Sequence, residues 1–292
     1  MRIIFFLLSK IPFEILYPIS TGLAFLLRYV FYYRTKVVKE NLTKSFPEKS
    51  AKEIHQIAWK FYLNLTDVFV ESIKVFSISE EELKKRVHLN NIDLPESYLK
   101  KGQSIIVLTS HLCNWEWLLQ ACAIHTEFKI DGVYKPVHNK SVDEFLFNLR
   151  SRFGAEPVAM KDVLKHMIRH KDDVRALAMV ADQTPPHSEI QYWQTFLNQY
   201  TPFYVGGDKL GSWSQRPVFF VEMMRLKRGY YEIKFELLKE PPLAKDTHEV
   251  TELFVNSLER VIRRNPSDWL WSHKRWKHKE IKIIKENTTI KE

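Results

Sequence analysis

The chain has 292 residues, 45% of them apolar and 13% aromatic, which is enough to build a sizeable core in one large domain or two small ones. It has only eight glycines, and neither a P-loop nor a dinucleotide fingerprint occurs among them. Its two cysteines, Cys113 and Cys122, suggest neither a zinc site nor a disulfide framework. The formal charge of +9 points to an acidic partner: nucleic acid, an anionic membrane surface or an acidic carrier protein.

The N-terminus narrows that list. From Ile15 to Tyr33 there is one charge, Arg28, in nineteen residues, and as a helix this segment spans roughly 28 Å, close to the ~30 Å hydrocarbon core. Pro12 and Pro18 interrupt its beginning. No small-residue cleavage site follows, so a removable signal peptide is not expected. Arg34, Lys36, Lys39 and Lys44 come next, and the positive-inside tendency keeps the rest of the chain in the cytoplasm. Residues 1–35 are therefore expected to be a membrane anchor, spanning or lying in the interface, and residues 36–292 one catalytic domain. A buried soluble helix is the plainer alternative.

Further along, Ser50-Ala51-Lys52-Glu53 is a capping-box pattern that opens a long helix carrying Ile54, Ile57, Ala58, Phe61, Leu65, Val68, Phe69 and Ile73. Ser79-Glu80-Glu81-Glu82 repeats the box before a shorter one. Strands and helices then alternate. Strands are expected at Val87–Asn91, Ser104–Thr109, Lys129–Tyr134, Arg175–Ala181, Pro217–Met223 and Tyr230–Leu237. Helices are expected at Asn114–His125, Ser141–Phe153, Lys161–His170 and Thr247–Arg264. Such alternation predicts an α/β fold with a mixed, mostly parallel sheet flanked by helices. Ligands of such sheets sit at the C-terminal ends of strands.

The stretch Ser110-His111-Leu112-Cys113-Asn114-Trp115-Glu116-Trp117 follows directly on the apolar run Ile105–Thr109. On one continuous helix, residues five apart do not face each other. His111 and Glu116 can meet if His111 ends a strand and Glu116 lies in the first turn of the next helix, with Asn114 as its N-cap. Neutral imidazole can then take a proton from an alcohol attacking an activated carbonyl, while Glu116 holds the ring's tautomer. The plainer reading is a strand-end histidine paired with a cap carboxylate. No G-x-S-x-G elbow appears, and Ser110 would point away from His111 in an extended strand, so direct attack by a bound acceptor fits better than a covalent serine.

These residues resemble the H-x-x-x-x-D/E motif of glycerolipid-type acyltransferases, in the glutamate form typical of the bacterial lipid A biosynthesis late acyltransferases. Other blocks match in order. Asn41-Leu42-x-x-x-Phe46-Pro47-Glu48 resembles the segment after the anchor, and Tyr134-Lys135-Pro136 with Asn139, Asp143, Arg150 and Arg152 resembles the Tyr-Arg-Pro block. Ala181-Asp182-Gln183 resembles the Asp-Gln block, and Trp269-Leu270-Trp271-Ser272-His273-Lys274-Arg275-Trp276-Lys277 the C-terminal signature. The aromatic region from Thr195 to Lys209 departs from the Thr/Gly/Ala-rich pattern, which places the chain nearer a divergent branch and leaves the acceptor open.

The resemblance implies acyl transfer from a thioester, usually on acyl carrier protein, to a hydroxyl of an anionic membrane glycolipid such as a lipid A precursor. It also implies the bacterial inner membrane, with the catalytic domain facing the cytoplasm and no metal or organic cofactor. A lysophospholipid or amino-acid lipid acceptor, or a non-catalytic lipid-binding protein of the same fold, is the alternative. His111 is expected as the base and Glu116 as its partner. Arg150, Arg152, Lys135, Asn114, Asp182 and Gln183 are expected at the substrates. A solvated helix face is the plainer reading of Arg150 and Arg152, and strand termination that of Asp182. Tyr192, Trp193, Phe196, Tyr200, Phe203 and Tyr204 suit either an acyl groove or a cover over the core. His166 and His170 share a helix face, but without a third ligand in sight a surface helix is the better reading. The Lys274–Lys285 run with its tryptophans suits anionic lipid or carrier protein better than nucleic acid, given the anchor.

Overall fold

The structure, a computed structural model, describes residues 2–278, so the end of the Lys274–Lys285 run lies outside the described residues. Helix α1 (Arg2–Ser9) and helix α2 (Phe13–Phe25) open the chain, and α2 continues into a π-helical turn at Leu26–Val30. Phe13–Val30 is the stretch long and apolar enough to cross a membrane among the described residues. Its inner stripe, Phe13, Leu16, Ser20 and Ala24, is buried, and Ser20 donates to Asp67 (2.7 Å) on a later helix. Ile15, Ile19, Phe25 and Leu26 on the other side stay exposed. Arg28, the lone charge, is buried and donates to the His55 carbonyl (3.2 Å). The apolar helix is thus docked along the body that follows.

After α3 (Thr35–Ser45), helix α4 (Ala51–Lys74) runs for about 36 Å. Its capping box forms as its sequence predicts: Glu53 N donates to Ser50 Oγ (3.3 Å), and Ser50 N donates to the Glu53 carboxylate (2.8 Å). Ser79 caps α5 (Glu80–Arg86) through the Glu82 amide (3.2 Å). The chain then lays down β1 (Val87–Leu89), α6 (Asp93–Leu99), β2 (Ile105–Thr109), α7 (Trp115–His125), β3 (Lys129–Tyr134), α8 (Lys140–Arg150), β4 (Glu156–Ala159), α9 (Val163–Arg169) and β5 (Arg175–Val180). The hairpin β6 (Tyr192–Phe196) and β7 (Gln199–Phe203), α10 (Gly206–Ser214), β8 (Val218–Lys227), β9 (Tyr230–Lys239) and α11 (Glu249–Arg264) complete it.

Seven strands form one sheet in the order β1-β9-β8-β2-β5-β3-β4, parallel except for the β8–β9 hairpin. All five residues of β2 are buried, as both faces of a parallel sheet are covered. Its side chains alternate: Ile105 and Val107 pack with Trp117 and Leu118 of α7, while Ile106 and Leu108 pack with Phe254 and Leu258 of α11. The six expected strands are all present. The sequence reading missed β4, a short edge strand containing Pro157, and the β6–β7 hairpin. That hairpin turns at Leu197-Asn198, both with positive φ, without the Asn-Gly signal such turns usually carry. The helix expected over Ser141–Phe153 stops at Arg150, and Gly154 follows at φ 93°.

Candidate active site

His111 stands just beyond β2, at the C-terminal edge of the sheet. Between it and α7 the chain turns sharply at Cys113, whose φ of 49° is left-handed. Such a conformation costs a non-glycine residue about 1–3 kcal/mol. The turn is held by Cys113 N donating to the Asp268 carbonyl (2.9 Å) and by a bridge between Leu112 and Trp269. Asn114 caps α7 as expected, accepting from Trp117 N (2.9 Å). The result turns both His111 and Glu116 toward one cavity.

The expected pairing of those two side chains is corrected by the geometry. His111 Nδ1 donates to Asp182 Oδ1 (2.7 Å), and the His111 backbone N–H donates to Oδ2 (3.0 Å). Trp269 Nε1 donates to the same Oδ2 (2.7 Å). A carboxylate only accepts, so Nδ1 carries the proton and Nε2 presents its lone pair. Gln183 Nε2 donates to that lone pair (3.2 Å). Burial alone would raise the Asp182 carboxyl, but its electrostatic attraction to the His111 ring and the hydrogen bonds from His111 and Trp269 outweigh it and hold the carboxyl below its ordinary value. Asp182, offered by the sequence as a substrate contact or a strand terminator, is the residue that orients the imidazole. It is 2% exposed and sits at the end of β5, the strand beside β2.

Glu116 is held elsewhere. Arg150, at the end of α8, grips it with both arms, Nε to Oε2 (3.0 Å) and Nη2 to Oε1 (2.6 Å), and lies over the Tyr134 ring. Burial would lower the Arg150 guanidinium, yet Glu116 raises it above its ordinary value. The two therefore form a fixed ion pair in the cavity wall, five positions after the histidine and apart from its ring. The physical reason is reach: Glu116 is turned toward α8 by the first turn of α7, while Asp182 arrives at Nδ1 from the adjacent strand.

The remaining expectations divide. Lys135, Gln183 and Arg150 line the same cavity as His111 and Glu116. Asn114 does not reach it: it is fully buried and donates to Glu71 Oε2 (2.7 Å) behind α7. Arg152 points away as well, donating to the Ile78 carbonyl (2.7 Å). Both therefore lie outside the cavity lining and tie neighbouring elements of the frame together. Glu71 is itself entirely buried and also accepts from Tyr231 (2.7 Å) and Tyr17 (3.1 Å), the latter on α2. Of the aromatic hairpin, Phe196 and Phe203 are buried in the core and Trp193 stacks on Tyr200, so it chiefly covers the core, while Tyr204 just after it lines the cavity.

The C-terminal block packs against the site through Trp269 and His273. Trp269 packs edge-on against Trp271 and Phe196. Asn41 of α3 donates to the carbonyls of Trp271 (2.9 Å) and His273 (3.0 Å). Arg275 is buried and donates to the Pro202 carbonyl (2.7 Å), and burial lowers it to about 9. His273 accepts from Thr184 N (3.3 Å), lines the cavity, and is lowered to about 4, chiefly by burial. Sequence reasoning gave no individual role to Trp269 or His273. The ordered blocks that contain them were the available signal.

The cavity has a volume of 860 Å³ and a mostly apolar lining. Its lining takes in Leu99, Ile105, Val107, Leu119 and Gly132 on the α7 side of the sheet and Leu108, Gly207 and Phe254 on the α11 side. Val137, Met160, Leu164 and Val180 are exposed and line the cavity too, giving its mouth an apolar rim. The arrangement sets an oriented imidazole with a lone pair on Nε2 at a mostly apolar cavity, a geometry that can accept a proton from a bound hydroxyl.

No curated protein matches the chain. The family model for bacterial lipid A biosynthesis acyltransferases matches residues 1–278, and the chain belongs to that family.

Proposed function

We propose that this protein moves a fatty acyl chain from an acyl-thioester, carried on acyl carrier protein, to a hydroxyl of an anionic membrane glycolipid of the lipid A precursor class. The observation that carries this reading is the Asp182–His111 pair at the head of an apolar 860 Å³ cavity. His111 Nε2 takes the proton of the attacking hydroxyl, and Asp182 stabilises the imidazolium that forms. The tetrahedral intermediate collapses by expelling the thiolate, which takes the proton back from His111. Gln183, already within hydrogen-bond reach of Nε2, is placed to orient the incoming hydroxyl. The fixed Glu116–Arg150 pair and Lys135 supply charge at the wall where an anionic head group or the thioester carbonyl would lie.

The exposed apolar side of α2 and the apolar rim of the cavity support a protein held at a membrane surface, where the acceptor resides. The net charge of +9 supports docking of an acidic carrier protein and of anionic lipid. The family supports membrane association, and the basic residues Arg34, Lys36, Lys39 and Lys44 after the apolar segment favour the inner membrane of a bacterium with the catalytic domain on the cytoplasmic side.

The test is acyl transfer by the purified full chain, with acyl-acyl carrier protein as donor and, in parallel, a lipid A precursor or a lysophospholipid as acceptor. The wild type is expected to acylate the glycolipid. His111→Ala is expected to lose about 10²–10⁴-fold in rate while keeping its circular dichroism. Equal transfer by a folded His111→Ala sinks the mechanism. Transfer to the lysophospholipid alone sinks the acceptor assignment.

A further inference from the structure

At the end of the sheet opposite His111, a second cluster of chemistry-bearing side chains surrounds α9. His166 and His170 stand one helical turn apart, their ring centroids separated by 4.6 Å. Glu156, the first residue of β4, joins them, and the ligand atoms of the three lie within 4.8 Å of one another. Topology makes this meeting: β4 runs toward the catalytic edge and α9 returns from it, so the end of the helix comes back beside the start of the strand. The third ligand that the sequence lacked is thus ten residues upstream of His166, in a strand the sequence did not reveal.

The surrounding groups orient these ligands. His170 Nδ1 is bonded to Asp173 Oδ2 (2.7 Å), which leaves its Nε2 free. His166 Nδ1 lies 3.7 Å from Glu156 Oε1. Its Nε2 is 3.1 Å from Asp131 Oδ2, out of line for a hydrogen bond, and has no partner although His166 is only 8% exposed. Arg175 holds Asp131 and the other oxygen of Glu156. The Asp173 carboxylate behind His170 is the arrangement that fixes a metal-binding tautomer and raises ligand basicity. Three carboxylates, Asp131, Glu156 and Asp173, stand against two guanidinia here, Arg175 and Arg216, so the cluster keeps a net negative charge that a cation offsets.

We propose that Glu156, His166 and His170 form a three-ligand site for a divalent cation of the zinc class, with water completing the tetrahedron. Two imidazoles and a carboxylate are donors that zinc accepts at about 2.0–2.2 Å, and small rotations of three side chains close the gaps observed. At ~3.3 Å per residue, β5 alone separates the cluster from the catalytic edge by roughly 17 Å. The ion therefore acts as a clip between α9 and the strands β3 and β4, not as a Lewis acid in the transfer. The inference is independent of the acyl acceptor.

The tag-free full chain, stripped with a chelator, is titrated with zinc chloride by calorimetry and by thermal denaturation. One equivalent is expected to bind, raising Tm by about 4 °C at a hundredfold excess over Kd, with nitrogen and oxygen ligands in the zinc X-ray absorption spectrum. His170→Ala and Glu156→Gln alter less buried positions and are expected to keep the wild-type circular dichroism while binding zinc at least ~100-fold more weakly. The absence of stoichiometric binding overturns the proposal, as does sulfur in the coordination sphere. So does unchanged affinity in both variants.

Discussion

Replacing Asp182 with asparagine asks which carboxylate serves His111. The substitution is nearly isosteric, in a site 2% exposed, where the carboxylate accepts from His111 N (3.0 Å), His111 Nδ1 (2.7 Å) and Trp269 Nε1 (2.7 Å). The amide retains one acceptor oxygen and turns a donor toward groups that also donate. Losing one hydrogen bond to a charged group is worth about 1.5–3 kcal/mol, which at 1.36 kcal/mol per decade is a fall of about 10–150-fold in kcat. If the amide N–H faces Nδ1, the ring adopts the wrong tautomer and the loss approaches ~10⁴-fold, as the corresponding change in a Ser-His-Asp triad does. The assay is steady-state acyl transfer by Asp182→Asn and Glu116→Gln beside the wild type, with circular dichroism and Tm as controls for folding. The expectation is a fall in kcat for Asp182→Asn and an effect mainly on KM for Glu116→Gln. The reasoning is refuted if Asp182→Asn stays within about threefold of wild type, less than ~1 kcal/mol, while Glu116→Gln loses its turnover.

Removing one half of the Glu116–Arg150 pair, as in Arg150→Met, leaves a buried carboxylate and is expected to cost about 3–5 kcal/mol in urea denaturation; the double variant Glu116→Gln/Arg150→Met should recover most of it. Folded His273 binds a proton less readily than unfolded histidine, so the unfolded state takes up more protons in acid. Stability should therefore fall as pH drops from about 6.5 to 4, by on the order of 3 kcal/mol, and His273→Gln should flatten that limb of a urea-denaturation series. A Cβ on Gly132 would sit 2.9 Å from Leu119 in the cavity wall, so Gly132→Val should favour shorter donors in a competition of chain lengths, by about fourfold for each methylene excluded. Trp269→Phe keeps the aromatic packing but leaves Asp182 one donor short; a loss of about 1–3 kcal/mol in thermal or urea denaturation is expected.

The sequence by itself determined the elements whose signals are local. The capping box at Ser50–Glu53, the apolar run Ile105–Thr109 and the Asn114 cap each act within a few residues, and each stands in the structure where its pattern predicts. The α/β alternation likewise fixed the class of sheet, and the strand-end position of His111 followed from it. The tertiary structure alone decided which groups meet. Asp182 reaches His111 from 71 positions away because β5 happens to be the neighbour of β2, and strand order is not encoded in any one segment. Spacing favoured Glu116 as the partner, since five residues suggest proximity, but the first turn of α7 gives that carboxylate to Arg150. Glu156 joins His166 and His170 for the same reason: a short edge strand and a returning helix bring together side chains that no periodicity connects. Local physics writes the elements into the chain, and the chemistry appears only where packing sets the ends of separate elements side by side.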